Sequence, residues 1–145
     1  MTVDIQESLI QAIYTRLTTD GTLATLMGGA VCLFHVWATP EAAFPYLVQR
    51  LDLRSQGDFN IEPEGTLYID IWTDSPSGES AGDIKQQIMT LLDNYTSSTS
   101  ETSSYRLWWQ TDTFVPETTQ NIWHLALQFN VKYLNDAKVG VILNR

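Results

Sequence analysis

The amino-acid sequence predicts an α+β fold, a two-layer sandwich in which a mainly antiparallel sheet carries two helices on one face. Two segments, at residues 4–19 and 84–95, show the 3.6-residue apolar repeat of amphipathic helices. Several others alternate apolar and polar residues with a period of two, which is typical of half-buried strands. Because apolar helical stripes need a sheet to cover, the predicted order is α-β-β-β-α-β-β in a single domain spanning residues 1–145.

The first predicted helix spans residues 4–19. Its apolar residues recur every four positions, and its acids lie in the first turn, where the helix dipole favours negative charge. Asp20-Gly21 ends this helix, and a short helical turn is expected at residues 22–27. Gly28-Gly29 then ends the turn, since glycine is the usual residue just after a helix.

Three strands are predicted next, over residues 30–37, 46–53 and 65–74. Pro45 marks the entry into the second of them, because proline has no backbone N–H and belongs at the first residue of a strand or on an edge. The polar, turn-rich segment 55–64 is a predicted loop between the second and third strands.

The second helix is predicted to end near residue 95, after turn and cap residues at 75–80. Two long strands follow, over residues 106–114 and 121–134. The last of them alternates apolar and polar residues along its whole length, which predicts one core face and one wet or interfacial face.

The Ser/Thr-rich segment 96–104 is a predicted exposed and mobile loop, because it has no apolar residue to anchor it. We therefore expect this loop to be available for contact with another protein. The candidate contact residues are Ser97, Ser98, Glu101 and Ser103.

Composition limits the possible partners. Seventeen acids against eight bases give a net charge of −9, which disfavours binding to nucleic acid and to anionic lipid. No apolar run is long enough to span a bilayer, and the N-terminus has no signal-peptide pattern, so neither membrane insertion nor that export route is expected. The single cysteine, Cys32, excludes an intramolecular disulfide and is interpreted as a buried, inert thiol in a protein made in the cytoplasm.

The sequence contains no constellation typical of catalysis. His35 and His124 are the only histidines and lie on separate predicted strands without metal-ligand spacing, so a zinc site is not expected. Glu64, Asp70 and Asp74 could together bind a cation, but acids at strand ends are common and indicate little. The prediction is a protein that is not an enzyme, with no catalytic residue, cofactor or metal.

Aromatic residues on the predicted outer face of the sheet are the unusual feature. If Leu67, Ile69 and Ile71 face the helices, their strand neighbours must face away. Large exposed aromatics on a soluble protein usually mark an interface, although loops folding over that face are an alternative. The candidate subunit-interface residues are Tyr68, Trp72, Trp108, His124 and Gln128.

Several short motifs occur in order along residues 5–133: an amphipathic helix followed by Gly-Gly, the strand entry Phe44-Pro45-Tyr46, the strand YIDIW, the helix DIKQQIMTLLDNY, and W-x-x-x-L-x-F from Trp123 to Phe129. In these the chain resembles the tail-completion, or tail-to-head joining, proteins of long-tailed bacteriophages, also called tail terminators. It departs from that pattern in its Ser/Thr-rich segment and in its additional tryptophans.

The resemblance implies a non-enzymatic virion protein that caps the finished tail tube as a ring, generally a hexamer, and joins the tail to the head. Its expected partners are further copies of the chain, the tail tube protein and the head-completion or connector protein. DNA is expected to pass through the lumen without specific binding, since an acidic lumen repels phosphates. The expected location is the tail or neck of the virion, after synthesis in the bacterial host cytoplasm.

Two alternatives stay open at the level of the sequence. Another phage neck or minor virion protein would share the binding role without the ring. A small-molecule-binding α+β domain would instead use the tryptophans to line a pocket.

Overall fold

The computed structural model describes residues 5–54, 64–100 and 103–135 of the chain. Within these ranges the elements, in chain order, are α1 (Ile5–Thr18), α2 (Gly21–Leu26), β1 (Leu33–His35), β2 (Tyr46–Arg54), β3 (Glu64–Thr73), α3 (Glu79–Leu92), β4 (Tyr95–Ser100), β5 (Ser103–Val115) and β6 (Trp123–Asn135). The α+β class is confirmed. The predicted order is corrected, because the described residues contain a third helix, α2, and a further strand, β4.

The strands form one sheet in the order β1-β2-β3-β6-β5-β4. The pairings β2–β3, β3–β6, β6–β5 and β5–β4 are antiparallel, whereas β1 pairs with β2 in parallel. The sheet is therefore mixed, and the expectation of a mainly antiparallel sheet is corrected. The reason is the segment between β1 and β2, which carries the chain back to the starting end of the neighbouring strand, as a parallel pairing requires.

The core lies between the helices and one face of the sheet. Along β3, buried and half-buried residues alternate without exception, and Leu67, Ile69 and Ile71 are fully buried. β6 supplies buried partners, with Leu67 opposite Phe129 and Ile69 opposite Leu127. This confirms the predicted alternation, although the two-layer sandwich stays a prediction.

The helices bury the stripes that the sequence predicts. α1 places Leu9, Ile13 and Leu17 in the core, and α3 places Ile84 and Ile88 there. α2 begins at an N-cap in which the Asp20 side chain accepts a hydrogen bond from the Leu23 N–H at 2.8 Å. None of the helices in the described residues is long and apolar enough to cross a membrane.

The first predicted strand is much shorter than expected. Residues 30–37 were predicted to be extended, but only Leu33–His35 form β1. Val36 ends the strand because its φ is +68°, in the left-handed region that interrupts a ladder. Cys32, predicted to be buried, is only half-buried beside this short strand.

The Ser/Thr-rich loop predicted at residues 96–104 is also corrected. Tyr95–Ser100 form β4, which pairs antiparallel with the first part of β5, so that Thr96 lies opposite Arg106. The physical reason is that an edge strand is held by backbone hydrogen bonds and needs no apolar side chains of its own, while threonine favours extended backbone. The predicted loop at residues 55–64 lies outside the described residues except for Glu64, which begins β3.

A candidate interface on the outer face of the sheet

The outer face is defined here as the face of the sheet directed away from the helices. β3 contributes Tyr68, Asp70 and Trp72 to it, because these residues alternate with the buried ones. The antiparallel register places His124 of β6 opposite Trp72, and Gln128 opposite Tyr68. The register thus brings together, on neighbouring strands, residues that are 52 to 60 positions apart in the sequence.

Aromatic rings stack along one end of the outer face, in a group called here the ring stack: Phe44, Tyr46, Trp72 and His124. The centroids of the Trp72 and His124 rings lie 3.9 Å apart, and the two ring planes are nearly parallel, with an angle of 13° between them. Tyr46 stacks on Trp72 at 6.1 Å, and Phe44 lies 5.3 Å from Tyr46. Contacts between aromatic rings stabilise the pairs beyond the area they bury.

His124 is held in the ring stack by carboxylates. Its Nε2 lies 2.9 Å from Asp70 Oδ1, and its Nδ1 lies 3.3 Å from Glu117 Oε1. The contact with Glu117 has the distance of an ion pair but not the geometry of a hydrogen bond, since Nδ1 is buried without a hydrogen-bond partner. When the imidazole is protonated, it therefore has a carboxylate near each nitrogen.

Tyr46 is the neighbouring group whose titration is perturbed. Burial, and secondarily the negative charge of Glu117, raises the pKa of the Tyr46 phenol above its ordinary value. Both causes disfavour the phenolate. The ring stack is thus a place where the protein favours neutral aromatic rings over additional negative charge.

Two arginines lie over aromatic rings farther along the outer face, in a group called here the arginine end: Arg50 with Tyr68, at the middle of β2 and β3, and Arg106 with Trp108, level with the beginning of β3. The Arg50 guanidinium carbon lies 4.0 Å from the Tyr68 ring centroid, and that of Arg106 lies 5.4 Å from the Trp108 centroid. Arg50 is opposite Tyr68 in the β2–β3 register. Both arginines are exposed, and among the described residues neither forms an ion pair with a carboxylate.

A β-bulge in β5 directly follows the two neighbouring tryptophans, which face opposite sides of the sheet. Trp109 is opposite Phe129 and Thr111 is opposite Gln128, so Gln110 is the extra residue. Trp108, opposite Asn130, lies on the outer face, whereas Trp109 lies on the helix side and is 40% exposed. Of the two tryptophans, Trp108 is therefore the one that fits the predicted interface.

The predicted interface residues thus share one face of the sheet, and their contact with a neighbouring subunit stays a prediction. Trp72 and His124 contact each other, and Tyr68, Gln128 and Trp108 lie at or beside the arginine end. Of the predicted loop contacts, Ser97 and Ser98 lie in β4, Ser103 begins β5, and Glu101 lies outside the described residues.

Sequence reasoning missed several functional candidates. Trp37 is 80% exposed in the segment after β1, although the sequence placed it inside a strand. The arginines were missed because no local pattern shows that a residue of β2 will lie over a ring of β3. The available signal for Trp37 was its position two residues before Thr39-Pro40, where a strand is expected to end.

The described residues contain no group of three or more His, Cys, Asp or Glu side chains arranged to hold a metal ion. Two open grooves lie elsewhere. One, of about 270 Å³, is lined by Leu26, Glu79, Asp83 and nearby serines, and the other, of about 300 Å³, follows the segment from Phe114 to Trp123. Neither groove contains residues of the ring stack or the arginine end.

Comparison with known proteins gives a consistent result. A family model described as "Tail completion protein gp17" matches residues 11–134. A solved chain from the virion of a native gene transfer agent particle is similar with a TM-score of 0.76 and 18% identity, covering 92% of this chain and 99% of that one. A second solved chain has a TM-score of 0.64 and 14% identity, covering 90% and 96%. No curated protein matches in sequence.

Proposed function

Because the chain belongs to the tail completion protein gp17 family, we propose that it is a non-enzymatic structural protein that closes the end of a phage tail tube as a ring and joins the tail to the head. The family match covers most of the chain. The fold similarity to a chain of a gene transfer agent virion supports the same role, since that protein is itself part of a particle. The proposed location is therefore the virion.

The proposal of a ring rests on the outer face of the sheet. Tyr68, Trp72 and Trp108 are half-buried on it, and no helix of the described residues covers it. Tyrosine, tryptophan and arginine are the residue types that dominate protein interfaces. We propose that this face contacts a neighbouring copy in the ring, which the resemblance to tail terminators suggests is a hexamer.

The other partners in the proposal are the tail tube protein on one side of the ring and the head-completion or connector protein on the other. The net charge of −9 supports passage of DNA through the ring without specific binding, since like charge opposes adhesion to phosphates. A ligand pocket built from the tryptophans is not favoured, because in the ring stack the rings pack against one another instead of lining a cavity.

The test is a complementation experiment with particles that lack this protein. Purified chain added to such tails is expected to restore joining to heads, and to appear by electron microscopy as a ring at the head-proximal end of the tube. Light scattering on the isolated protein measures whether the ring forms before it meets the tube. Tails that join heads equally well without the protein would contradict the proposed function.

A further inference from the structure

Arg50 and Arg106 differ from Arg16, the third arginine that lies over a ring among the described residues. Arg16 of α1 lies 4.0 Å from the Tyr95 ring centroid, but its Nε also donates a hydrogen bond to the Leu91 carbonyl, so it links elements inside the molecule. Arg50 has no such partner among the described residues. Arg106 donates only its Nε, to Thr96 Oγ1 at 3.1 Å. Arg50 and Arg106 therefore keep guanidinium donors available to solvent.

A guanidinium held over an aromatic ring is suited to bind a carboxylate. The ring restricts the side chain and shields one face of the guanidinium, while the N–H donors at its edge stay free for a planar, bidentate acceptor. Less side-chain entropy is then lost when the acceptor binds. The arginine end is thus prepared for carboxylates, and among the described residues neither of its guanidinium groups is paired with one, although Asp52 lies on the same face two residues from Arg50.

The chain carries unpaired carboxylates at the opposite end and on the opposite side of the sheet. Asp74 directly follows β3, and Glu79 and Asp83 lie one turn apart at the start of α3; all three are exposed. Among the described residues, none of the three forms an ion pair. Glu79 and Asp83 also line the open groove with the partly exposed Leu26. These residues are called here the acidic end.

The two ends cannot meet within one molecule. Arg106 is in register with Lys132, which is opposite Glu64 at the beginning of β3, whereas Asp74 follows the last residue of β3. At about 3.3 Å per residue, Arg106 is therefore roughly 30 Å from Asp74 along the strand direction, and Arg50, which is opposite Tyr68, is roughly 20 Å from it. A head-to-tail contact between copies requires two different, complementary patches on one chain. Such contacts generate a closed ring when the rotation from each copy to the next is a whole fraction of a full turn.

We propose that Arg50 and Arg106 at the arginine end of one copy bind the carboxylates of Asp74, Glu79 and Asp83 at the acidic end of the next copy. This inference rests on the proposed ring and specifies its contact. The occupant of the arginine end is a second copy of this chain, because the chain itself presents the complementary charge and an apolar residue, Leu26, within the same groove.

Charge reversal in separate chains tests the contact. The double variant Arg50→Glu, Arg106→Glu disrupts the arginine end, and Glu79→Lys, Asp83→Lys disrupts the acidic end. Each alone is expected to weaken self-association, measured by sedimentation equilibrium up to millimolar protein at low salt, by about tenfold or more. Thermal melting should be little changed, because all four side chains are exposed.

Mixing the two double variants distinguishes a head-to-tail contact from any other. Each variant retains one intact end, and the two reversed ends complement each other as the two intact ends do, so an equimolar mixture should recover association into assemblies in which the two variants alternate. The quadruple variant, which carries all four reversals on one chain, should recover association. Glu41→Lys is the matched control for charge, since Glu41 is an exposed acid outside both ends.

Three results would overturn the proposal: rings that persist in both double variants, a mixture that stays monomeric, or a wild-type chain that stays monomeric throughout the concentration range. Rings that persist would leave the proposed function intact and place the subunit contact elsewhere. Reversals that leave self-association unchanged but abolish joining in the complementation experiment would assign the arginine end to a tail or head protein instead. The conservative pair Arg50→Lys, Arg106→Lys should weaken association less than reversal, because charge is kept but the planar donor geometry is lost.

Discussion

The ten residues of β3 alternate between two faces of the sheet, and the two faces serve different purposes. On the helix side, Leu67, Ile69 and Ile71 are fully buried against aliphatic partners from the helices and β6. On the outer side, Tyr68, Asp70 and Trp72 are only half-buried and contact an arginine, a histidine and other rings. The first face therefore stabilises the fold, whereas the second is organised but not covered.

This difference shows how a protein can prepare an interface without destabilising its monomer. Aromatic rings on the outer face stack on one another, so part of their surface is already removed from water before any partner arrives. The His124 Nε2 between them has a partner within the same face, the Asp70 carboxylate. Substitutions on the two faces should consequently separate folding from assembly.

The largest expected effect is on the helix side. Ile69→Ala should lower the free energy of unfolding by about 2–5 kcal/mol, because it removes methylene groups from a fully buried site and leaves a cavity. Urea denaturation measures the change. The matched control is Tyr68→Ala on the next residue, which should cost clearly less, since Tyr68 is half-buried on the outer face. Equal costs at the two positions would break the distinction between the faces.

The second effect concerns the edge of the sheet. Deleting residues 97–103 would leave folding intact if residues 96–104 formed the mobile loop predicted from the sequence, but the deletion removes most of β4 and the start of β5. With several ladder hydrogen bonds lost, each contributing about 0.5–1.5 kcal/mol net, the melting temperature should fall by several degrees. Thr96→Ala, which keeps the backbone ladder and removes only the acceptor for Arg106, should have a much smaller effect. A deletion that melts like the wild type would restore the loop interpretation.

The third effect sharpens the comparison on the outer face itself. Trp72→Glu should leave the chain folded but less stable by about 1–3 kcal/mol, because stacking with Tyr46 and His124 is lost. Assembly of the ring, measured by light scattering, should be lost as well, since the variant places a charge on the outer face, which is proposed to contact the neighbouring copy. Trp37→Glu is the control for stability, because Trp37 is 80% exposed and should melt unchanged. Complete unfolding of Trp72→Glu would mean that Trp72 belongs to the core.

The same two faces show what the sequence can and cannot predict. The alternation from Leu67 to Trp72 is local, so it identified the outer residues of β3 correctly. The pairing of β1 with β2 in parallel depends on the course of the chain through residues 36–45, which no periodic pattern records. β4 was missed because its pairing is made by the backbone, whereas the prediction relied on apolar side chains.

The candidate site divides in the same way. That Trp72 and His124 face outward follows from period-two alternation, but their contact follows from the β3–β6 register, which is fixed by long-range pairing. The approach of Glu117 to His124 depends further on the turn that leads from β5 to β6. Contacts between distant strands, such as Arg50 over Tyr68, are therefore products of topology.

The smallest expected effect is a pH dependence in the ring stack. The folded protein raises the pKa of the Tyr46 phenol, so above pH 10, the usual pKa of tyrosine, the unfolded chain releases this proton more readily than the folded chain. The stability associated with the neutral phenol is therefore complete below about pH 10 and is lost as the pH rises through the higher folded-state pKa.

Tyr46→Phe cannot ionise and should lose less stability between pH 9 and pH 11 than the wild type. The other tyrosines titrate in both proteins. The difference in stability between wild type and Tyr46→Phe, measured by melting at each pH, therefore isolates the contribution of Tyr46. Glu117→Gln should reduce that difference without abolishing it, since burial, the larger cause, is retained. Parallel loss of stability in wild type and Tyr46→Phe would show that the ring stack does not hold Tyr46 in its neutral form.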